Sequence, residues 1–285
     1  MSRLRYAWNT NGCAHHRLDE ALRLIADAGY DGVALTLDIH HLDPFADGWE
    51  REAERVARLC SDLGLGSVIE TGARYLLDPS CKHEPTLLHP DAEGRDRRVV
   101  FLRRACRVAR IMGSEAVSFW AGVPRTGEPR GTLWTRMREG VLRVLDAAAE
   151  EGVTAAMEPE PGMLVETVDH WLALRDETDE RLRLALDTGH LMVTQERDPA
   201  AAVRELAPHI GTVAIEDMAR GEHLHLPFGT GDVDVDAVLA ALEAMGFDGL
   251  ACVELSRESP RAHEAIPEAI EWLRASDARR ERKVA

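Results

Sequence analysis

The sequence predicts an α/β fold in one domain, with eight parallel strands alternating with helices and closing into a (β/α)8 barrel. Short apolar runs alternate along the whole chain with longer stretches whose apolar residues step by three and four. Eight such runs in 285 residues give about 36 residues per unit, the size of one βα repeat. One phrase also recurs near opposite ends of the chain, as Ala28-Gly29-Tyr30-Asp31-Gly32-Val33 and as Met245-Gly246-Phe247-Asp248-Gly249-Leu250. In each copy a helix stops at a glycine able to adopt the left-handed conformation, and a strand follows within three residues.

The strands are expected at 4–8, 32–37, 66–70, 116–120, 153–158, 182–187, 210–215 and 250–254. Runs such as VALTL and LACVE are apolar almost throughout, as strands buried on both faces of a parallel sheet must be. The first strand leads into Asn9-Thr10-Asn11-Gly12, which does not supply the GxGxxG of a dinucleotide-binding open sheet. Helical stripes follow at Leu18, Leu22, Ile25 and Ala28, at Ala53, Val56, Cys60 and Leu63, and at Val238, Leu242 and Met245. Segment 71–91, with Pro79, Pro85 and Pro90, is too long for an ordinary connection and predicts a lid or rim. Asp198-Pro199 and Ser259-Pro260 read as N-caps followed by proline in the first helical turn. Pro267 is expected to break or kink the last helix. The barrel is assigned to 1–275, and 276–285 to a charged, frayed tail.

Composition narrows the function. The chain is 45% hydrophobic, 29% charged and only 5% aromatic, so its core is one of Leu, Val, Ala and Ile. A net charge of −16 argues against nucleic acid, whose backbone is bound chiefly by Lys and Arg. No apolar run approaches the ~18 residues of a membrane span, and the first residues lack the apolar stretch of a secretory signal. Five scattered cysteines without CxxC spacing suit reduced thiols in a cytoplasmic protein.

The informative pattern is the residue that ends each strand. Asp38, Glu70, Glu158, Asp187, Glu216 and Glu254 close six of the eight, at the end where barrel enzymes carry their active sites. Acids converging on one mouth repel one another, and a divalent cation is the compact remedy. Any one of these acids would serve equally well as a helix cap, but Glu158, Asp187 and Glu254 together predict a metal site. His190 follows Asp187 by three residues and can face the same pocket, while His223 and His225 alternate in an extended segment and point to one side. Weaker candidates are His15-His16, His40-His41 and His83-Glu84. Carboxylates with imidazole and no thiolate suit Mn²⁺, Mg²⁺, Co²⁺ or Zn²⁺. Trp8, Phe119-Trp120 and Phe228 could form an apolar wall for a substrate or serve as plain packing.

With these residues the chain resembles the xylose-isomerase-like TIM-barrel superfamily over residues 4–275. The resemblance rests on Glu158-Pro159, Asp187-Thr188-Gly189-His190, Ile215-Glu216-Asp217, Leu226-Pro227-Phe228-Gly229-Thr230-Gly231-Asp232 and Val253-Glu254-Leu255. It implies Glu158, Asp187 and Glu254 as metal ligands, His190 near the substrate oxygens and Arg220 as a substrate contact. The isomerase branch usually has a histidine two residues before the position of Glu216. Ala214 stands there, leaving His225, Glu216 or water as the fourth ligand. The nuclease branch is disfavoured by the acidic charge and an incomplete histidine set.

The expected activity is isomerisation or epimerisation of a sugar, keto-sugar or cyclitol through a metal-stabilised enediolate. Glu158 and Glu254 would exchange the proton. Glu70, His190, Arg220, His223 and Trp120 are the expected substrate contacts. The rivals are a dehydratase of an inosose- or dehydroshikimate-like substrate, using the same cation, and a barrel that only binds. The lack of a glycine-rich phosphate cradle favours an unphosphorylated substrate, and an oligomer is compatible with the sequence.

Overall fold

The computed structural model describes residues 3–125 and 127–284. Eight parallel strands hydrogen-bond in chain order and close on themselves. They are β1 (Arg5–Asn9), β2 (Gly32–Thr36), β3 (Gly66–Glu70), β4 (Val117–Trp120), β5 (Ala155–Glu158), β6 (Arg183–Asp187), β7 (Ile210–Ile215) and β8 (Leu250–Val253). Closure is made where β1 meets β8, with Trp8 opposite Val253. The helices are α1 (Leu18–Asp27), α2 (Trp49–Asp62), α3 (Ala92–Met112), α4 (Arg130–Glu151), α5 (Val168–Glu177), α6 (Thr188–Thr194), α7 (Pro199–Leu206), α8 (Val235–Ala244) and α9 (Ala262–Val284).

Two packed layers explain the apolar strands. Small side chains fill the barrel interior, among them Ala7, Ala34, Val68, Ala116 and Cys252. The larger ones, including Trp8, Phe101, Phe119 and Trp171, fill the shell that also buries the apolar stripes of the helices. Trp8 and Phe119 therefore belong to packing and not to a sugar-binding wall; Trp8 meets Tyr30 edge-on at 6.0 Å. Phe228 stacks on Trp272 of α9.

The repeated glycines do what the sequence requires of them: Gly29 has φ 92° and Gly246 φ 71°. Asp198 caps α7, accepting from the Ala201 amide at 2.8 Å. Ser259 departs from expectation. The chain after β8 makes a 3-10 turn over Ser256–Arg261, and α9 begins only at Ala262. Instead of capping a helix, the Ser259 hydroxyl accepts from the His15 amide at 3.1 Å and meets its ring Nδ1 at 2.7 Å.

Residues 71–91 run from β3 to α3 without helix or strand. They are anchored where the Arg74 guanidinium donates to the Asn11 carbonyl at 2.9 Å and where His83 lies edge-on to Trp120 at 5.2 Å.

The end of the chain differs most from the sequence reading. Pro267 lies within α9, and residues 276–284 continue that helix instead of fraying; Ala285 lies outside the described residues. The reason is a buried polar cluster. Arg280 donates to Glu243 at 2.7 Å and to Asp277 at 2.8 Å, and the Tyr6 hydroxyl donates to Asp277 at 2.6 Å.

Candidate active site

Parallel strands bring their C-terminal residues to one end of the barrel. There a cavity of about 770 Å³ opens, lined by Asp38, Glu70, Glu158 and Glu254 from four of the acid-terminated strands. Beneath it a space of about 30 Å³ is bounded by Glu70, Glu158, Asp187, Glu254 and Ala214. That is room for one water molecule or ion.

Asp187 serves two purposes. Its Oδ1 caps α6 by accepting from the amides of Gly189 at 2.7 Å and His190 at 3.0 Å. Its Oδ2 is buried without a donor, and so is Glu216 Oε1. The other Glu216 oxygen is in direct hydrogen bond with His225 Nδ1. Gly189 makes this packing possible, since a Cβ there would lie 2.5 Å from Glu216 Oε1.

His190 sits between acids. Its Nδ1 lies 3.5 Å from Glu158, and its Nε2 lies 3.8 Å from Glu160 and 3.9 Å from Asp187. Nδ1 is also 3.2 Å from the Pro159 carbonyl, placing a ring proton on that nitrogen. Glu254 is held from the end of β1 and the 3-10 turn after it (Thr10–Cys13), with Asn11 donating at 2.7 Å to one oxygen and Asn9 at 3.3 Å to the other.

The electrostatics follow from burial and crowding. Burial, then the neighbouring carboxylates of Glu160, Asp187 and Glu254, hold the Glu158 carboxyl well above its ordinary range. Burial and then Asp187 do the same for Glu216. Burial pushes Glu70 and Glu160 up to about 7, Glu254 adding to the shift at Glu70. Burial also opposes charge on His190, but Asp187, Glu160 and Glu254 overcome it and its pKa is raised. Asp187 is lowered although burial opposes this, because the charge of His190 and the hydrogen bond from its amide stabilise the anion.

These residues fit a divalent cation. Two buried acceptor oxygens lack donors, several carboxylates share one small space, and oxygen and imidazole donors converge without thiolate. Ligand atoms of Glu158, Asp187 and His190 lie within 4.8 Å of one another, and so do those of Glu160, His190 and His223. At Ala214 no imidazole rises from β7; that side of the site holds the Glu216–His225 pair.

Of the expected substrate contacts, Glu70, Trp120, His190 and His223 line the main cavity, as do His225, His40 and His83. Glu216 lies fully buried below it. Arg220 is exposed and is not among the residues that line the cavity; its backbone amide donates to the Asp232 carboxylate at 2.9 Å. His15, His16 and His41 are likewise outside the lining, His15 being held by Ser259.

Sequence reasoning missed Glu160, Asn9 and Asn11. Asn9, the last residue of β1, stood where the strand-end pattern could have found it, whereas Asn11 lies in the 3-10 turn Thr10–Cys13 and Glu160 in the loop beyond β5, where strand alternation does not reach. It also missed the cavity cations Arg74, Lys82 and Arg257, which carry no spacing signal.

Comparison with known proteins is consistent with this geometry. Residues 22–276 match the profile of the family described as xylose isomerase-like TIM barrel. The L-ribulose-5-phosphate 3-epimerase UlaE of Salmonella paratyphi C is 25% identical over 261 residues, which are 90% of this chain and 88% of that protein. A solved L-ribulose 3-epimerase superimposes with a TM-score of 0.76 at 23% identity, covering 99% of this chain and 98% of the other. The IOLI protein with a bound zinc atom gives 0.75 at 17% identity, covering 96% and 98%.

Proposed function

The chain belongs to the xylose isomerase-like TIM barrel family, and from that premise we propose that it is a metal-dependent isomerase or epimerase of a small keto-sugar or cyclitol. The observation that carries this reading is the shared cavity of Glu158 and Glu254, which reach it from strands three apart around the barrel. Sugar epimerases among the relatives of similar length support the reaction class.

Glu158, Asp187 through its free Oδ2, and Glu254 would hold the cation, with Glu216 and His225 on the side where Ala214 offers no ligand. When bound, the cation supplies positive charge for the oxygen on which negative charge develops as a proton leaves carbon.

The remaining chemistry belongs to the chain. Glu254 is fixed as an acceptor by Asn9 and Asn11, so its approach to a substrate C–H is set by the end of β1 and the turn that follows it. Glu158 faces the same carbon from another side. One carboxylate removes the proton and the other returns it, which inverts the centre when they act on opposite faces. His190 has its Nδ1 turned toward the Pro159 carbonyl, leaving Nε2 among the acids and facing the cavity, where it can meet a substrate oxygen. Trp120 supplies an apolar face.

The test is solvent exchange. Metal-loaded protein incubated in D₂O with a ketose and inosose panel is expected to place deuterium at the carbon beside the carbonyl. Glu158→Gln and Glu254→Gln are each expected to abolish the exchange. No exchange with any member of the panel rejects the reading.

A further inference from the structure

Helix α3 buries a stripe of Gly94, Arg98, Phe101, Leu102 and Ala105. Steps of three and four make such a stripe, and the pattern asks for an uncharged side chain at each position. Arg98 breaks it, and its side chain is fully buried. Nη2 donates to the Thr71 carbonyl at 3.1 Å, whereas Nε and Nη1 have no hydrogen-bond partner among the described residues. Burial pushes Arg98 down to about 10 against the fields of Glu70 and Glu84, so it stays charged at neutral pH. A buried charge that meets no carboxylate is destabilising, and a leucine or methionine would complete the stripe without that penalty.

What faces the charge instead is aromatic. The guanidinium carbon lies 4.2 Å from the centroid of the Trp120 ring and 5.2 Å from that of Phe101. Away from water a guanidinium and an indole attract each other strongly, and the planar, weakly hydrated fork of arginine suits such a place. Phe101 belongs to the core. Trp120 ends β4, is 5% exposed and lines the main cavity, with His83 edge-on to it at 5.2 Å. The same arginine reaches the start of the 71–91 connection. Thr71, whose carbonyl it holds, donates its own hydroxyl to the Ser118 carbonyl of β4 at 2.7 Å. The next amide, of Gly72, donates to Glu70 at 3.0 Å. One buried cation thus joins the ends of β3 and β4, which carry Glu70 and Trp120 to the cavity.

We propose that Arg98 is a positioning residue: it holds the Trp120 ring in one orientation, so that the wall against which a substrate is seated stands ready before the substrate arrives. This rests on the isomerase or epimerase reading only for what Trp120 meets. Arg98 does not line the cavity, so its effect on a substrate passes through Trp120. A wall that is already ordered removes part of the ordering entropy from the binding step. The acids that move the proton are left as they were. Loss of Arg98 should therefore raise KM and spare kcat.

The experiment uses the metal-loaded full chain carrying 5-fluorotryptophan. Its six tryptophans give six fluorine resonances, and Trp120→Phe identifies the line of Trp120. Arg98→Met removes the charge and keeps the length. It is expected to split or broaden the Trp120 line and to leave the other five as they were. Loss of the charge alone would move a single sharp line without splitting it. With a ketose of the panel that wild type exchanges in D₂O, KM should rise about tenfold, while kcat and Mn²⁺ affinity stay within about twofold. Arg98→Lys, whose ammonium can still face the indole, should restore a single line and most of the KM. A sharp single Trp120 line in Arg98→Met overturns the proposal. So does broadening of all six lines, or an equal loss in kcat, which is what a merely structural arginine gives. Arg98→Gln keeps a donor for the Thr71 carbonyl and is read in the same way if Arg98→Met does not fold. If neither uncharged variant folds, Arg98 serves the fold and the proposal is overturned. If wild type exchanges no sugar, the reaction reading falls, while a Trp120 line split by Arg98→Met and mended by Arg98→Lys keeps the positioning role. Exchange with KM unchanged in Arg98→Met does the opposite: the reaction reading stands and the positioning role falls.

Discussion

Gly189 and Glu216 are in such close approach that a methyl group on the first would lie 2.5 Å from the carboxylate oxygen of the second. The glycine in Asp187-Thr188-Gly189-His190 thus makes room for a buried acid from the neighbouring strand. Gly189→Ala must displace Glu216, with an overpacking cost of about 2 kcal/mol. Displacing Glu216 also disturbs its hydrogen bond to His225. The expected outcome is a lower melting temperature together with weaker Mn²⁺ or Zn²⁺ binding in titration. Wild-type affinity in a folded Gly189→Ala protein would remove Glu216 from the metal's surroundings.

Crowded carboxylates make a second prediction with opposite signs in two conditions. Burial and then Glu160, Asp187 and Glu254 disfavour charge on Glu158. Glu158→Gln removes one of the repelling groups, so the metal-free protein should melt higher than wild type. Saturating metal at about 100 times its Kd should stabilise wild type by roughly 2.7 kcal/mol. The variant should show less than half of that gain. Scanning calorimetry with and without metal reads both effects, and a metal-induced shift equal to wild type would exclude Glu158 as a ligand.

The barrel was legible because it is written many times over, in eight apolar runs and in glycines such as Gly29 and Gly246 that end helices. The acids at the strand ends were legible because topology alone carries such residues to one mouth. What escaped was pairing between distant segments. Nothing in the sequence ties Asn11 to Glu254 or Ser259 to His15, since those contacts exist only once β8 has closed on β1. The surroundings of Arg220 are of the same kind: its amide is bound by Asp232, twelve residues on. Charge content likewise misread 276–284, because a run of charged residues looks alike whether solvated or paired with Glu243 and Asp277.

Asn11 gives the third prediction. It is the nearer of two amide donors to Glu254, at 2.7 Å against 3.3 Å for Asn9. A hydrogen bond to a charged group contributes about 1.5–3 kcal/mol, and its loss frees the carboxylate to rotate. Asn11→Ala should therefore lower kcat by roughly tenfold to a hundredfold if that energy is expressed in the transition state. KM should move less, because the substrate's other contacts remain. A change confined to KM would show that Asn11 binds substrate and does not aim Glu254.

The fourth prediction concerns acid. Burial pushes the His83 imidazole down to about 4, with nearby Lys82 and Arg98 adding to the shift against a hydrogen bond to the Gly72 carbonyl. The unfolded value is about 6.5. Between these limits the unfolded chain binds more protons than the folded one, so stability rises with pH there and is lost as pH falls from about 6.5 towards 4. His83→Gln should flatten the fall of melting temperature over that window while leaving the value at pH 8 little changed. His223, also pushed down to about 4 by burial, should preserve part of the slope. An unaltered slope would mean that His83 is already protonated in the folded protein.

The end of α9 supplies the last prediction, because it separates a frayed tail from an integral element. Arg280 is 8% exposed in its side chain and bridges Glu243 of α8 to Asp277, which in turn accepts the Tyr6 hydroxyl from β1. Removing one member of such a set leaves its partners buried and uncompensated, at a cost of about 3 kcal/mol. Arg280→Ala should therefore lower the midpoint of urea unfolding well beyond what an exposed arginine would. Deleting residues 276–285 should do at least as much, since it removes Ser276, Asp277 and Arg279 along with Arg280, and Arg279 donates to Asp236 at 3.0 Å. Tyr6 offers an independent readout, because its hydroxyl is buried against Asp277 and should become more readily ionised when the cluster is cut away. Spectroscopic titration of tyrosine in the truncated chain, set beside the unfolding midpoint, distinguishes loss of this cluster from general loosening. A truncated chain that unfolds like the full one would return these residues to the role of a dispensable tail.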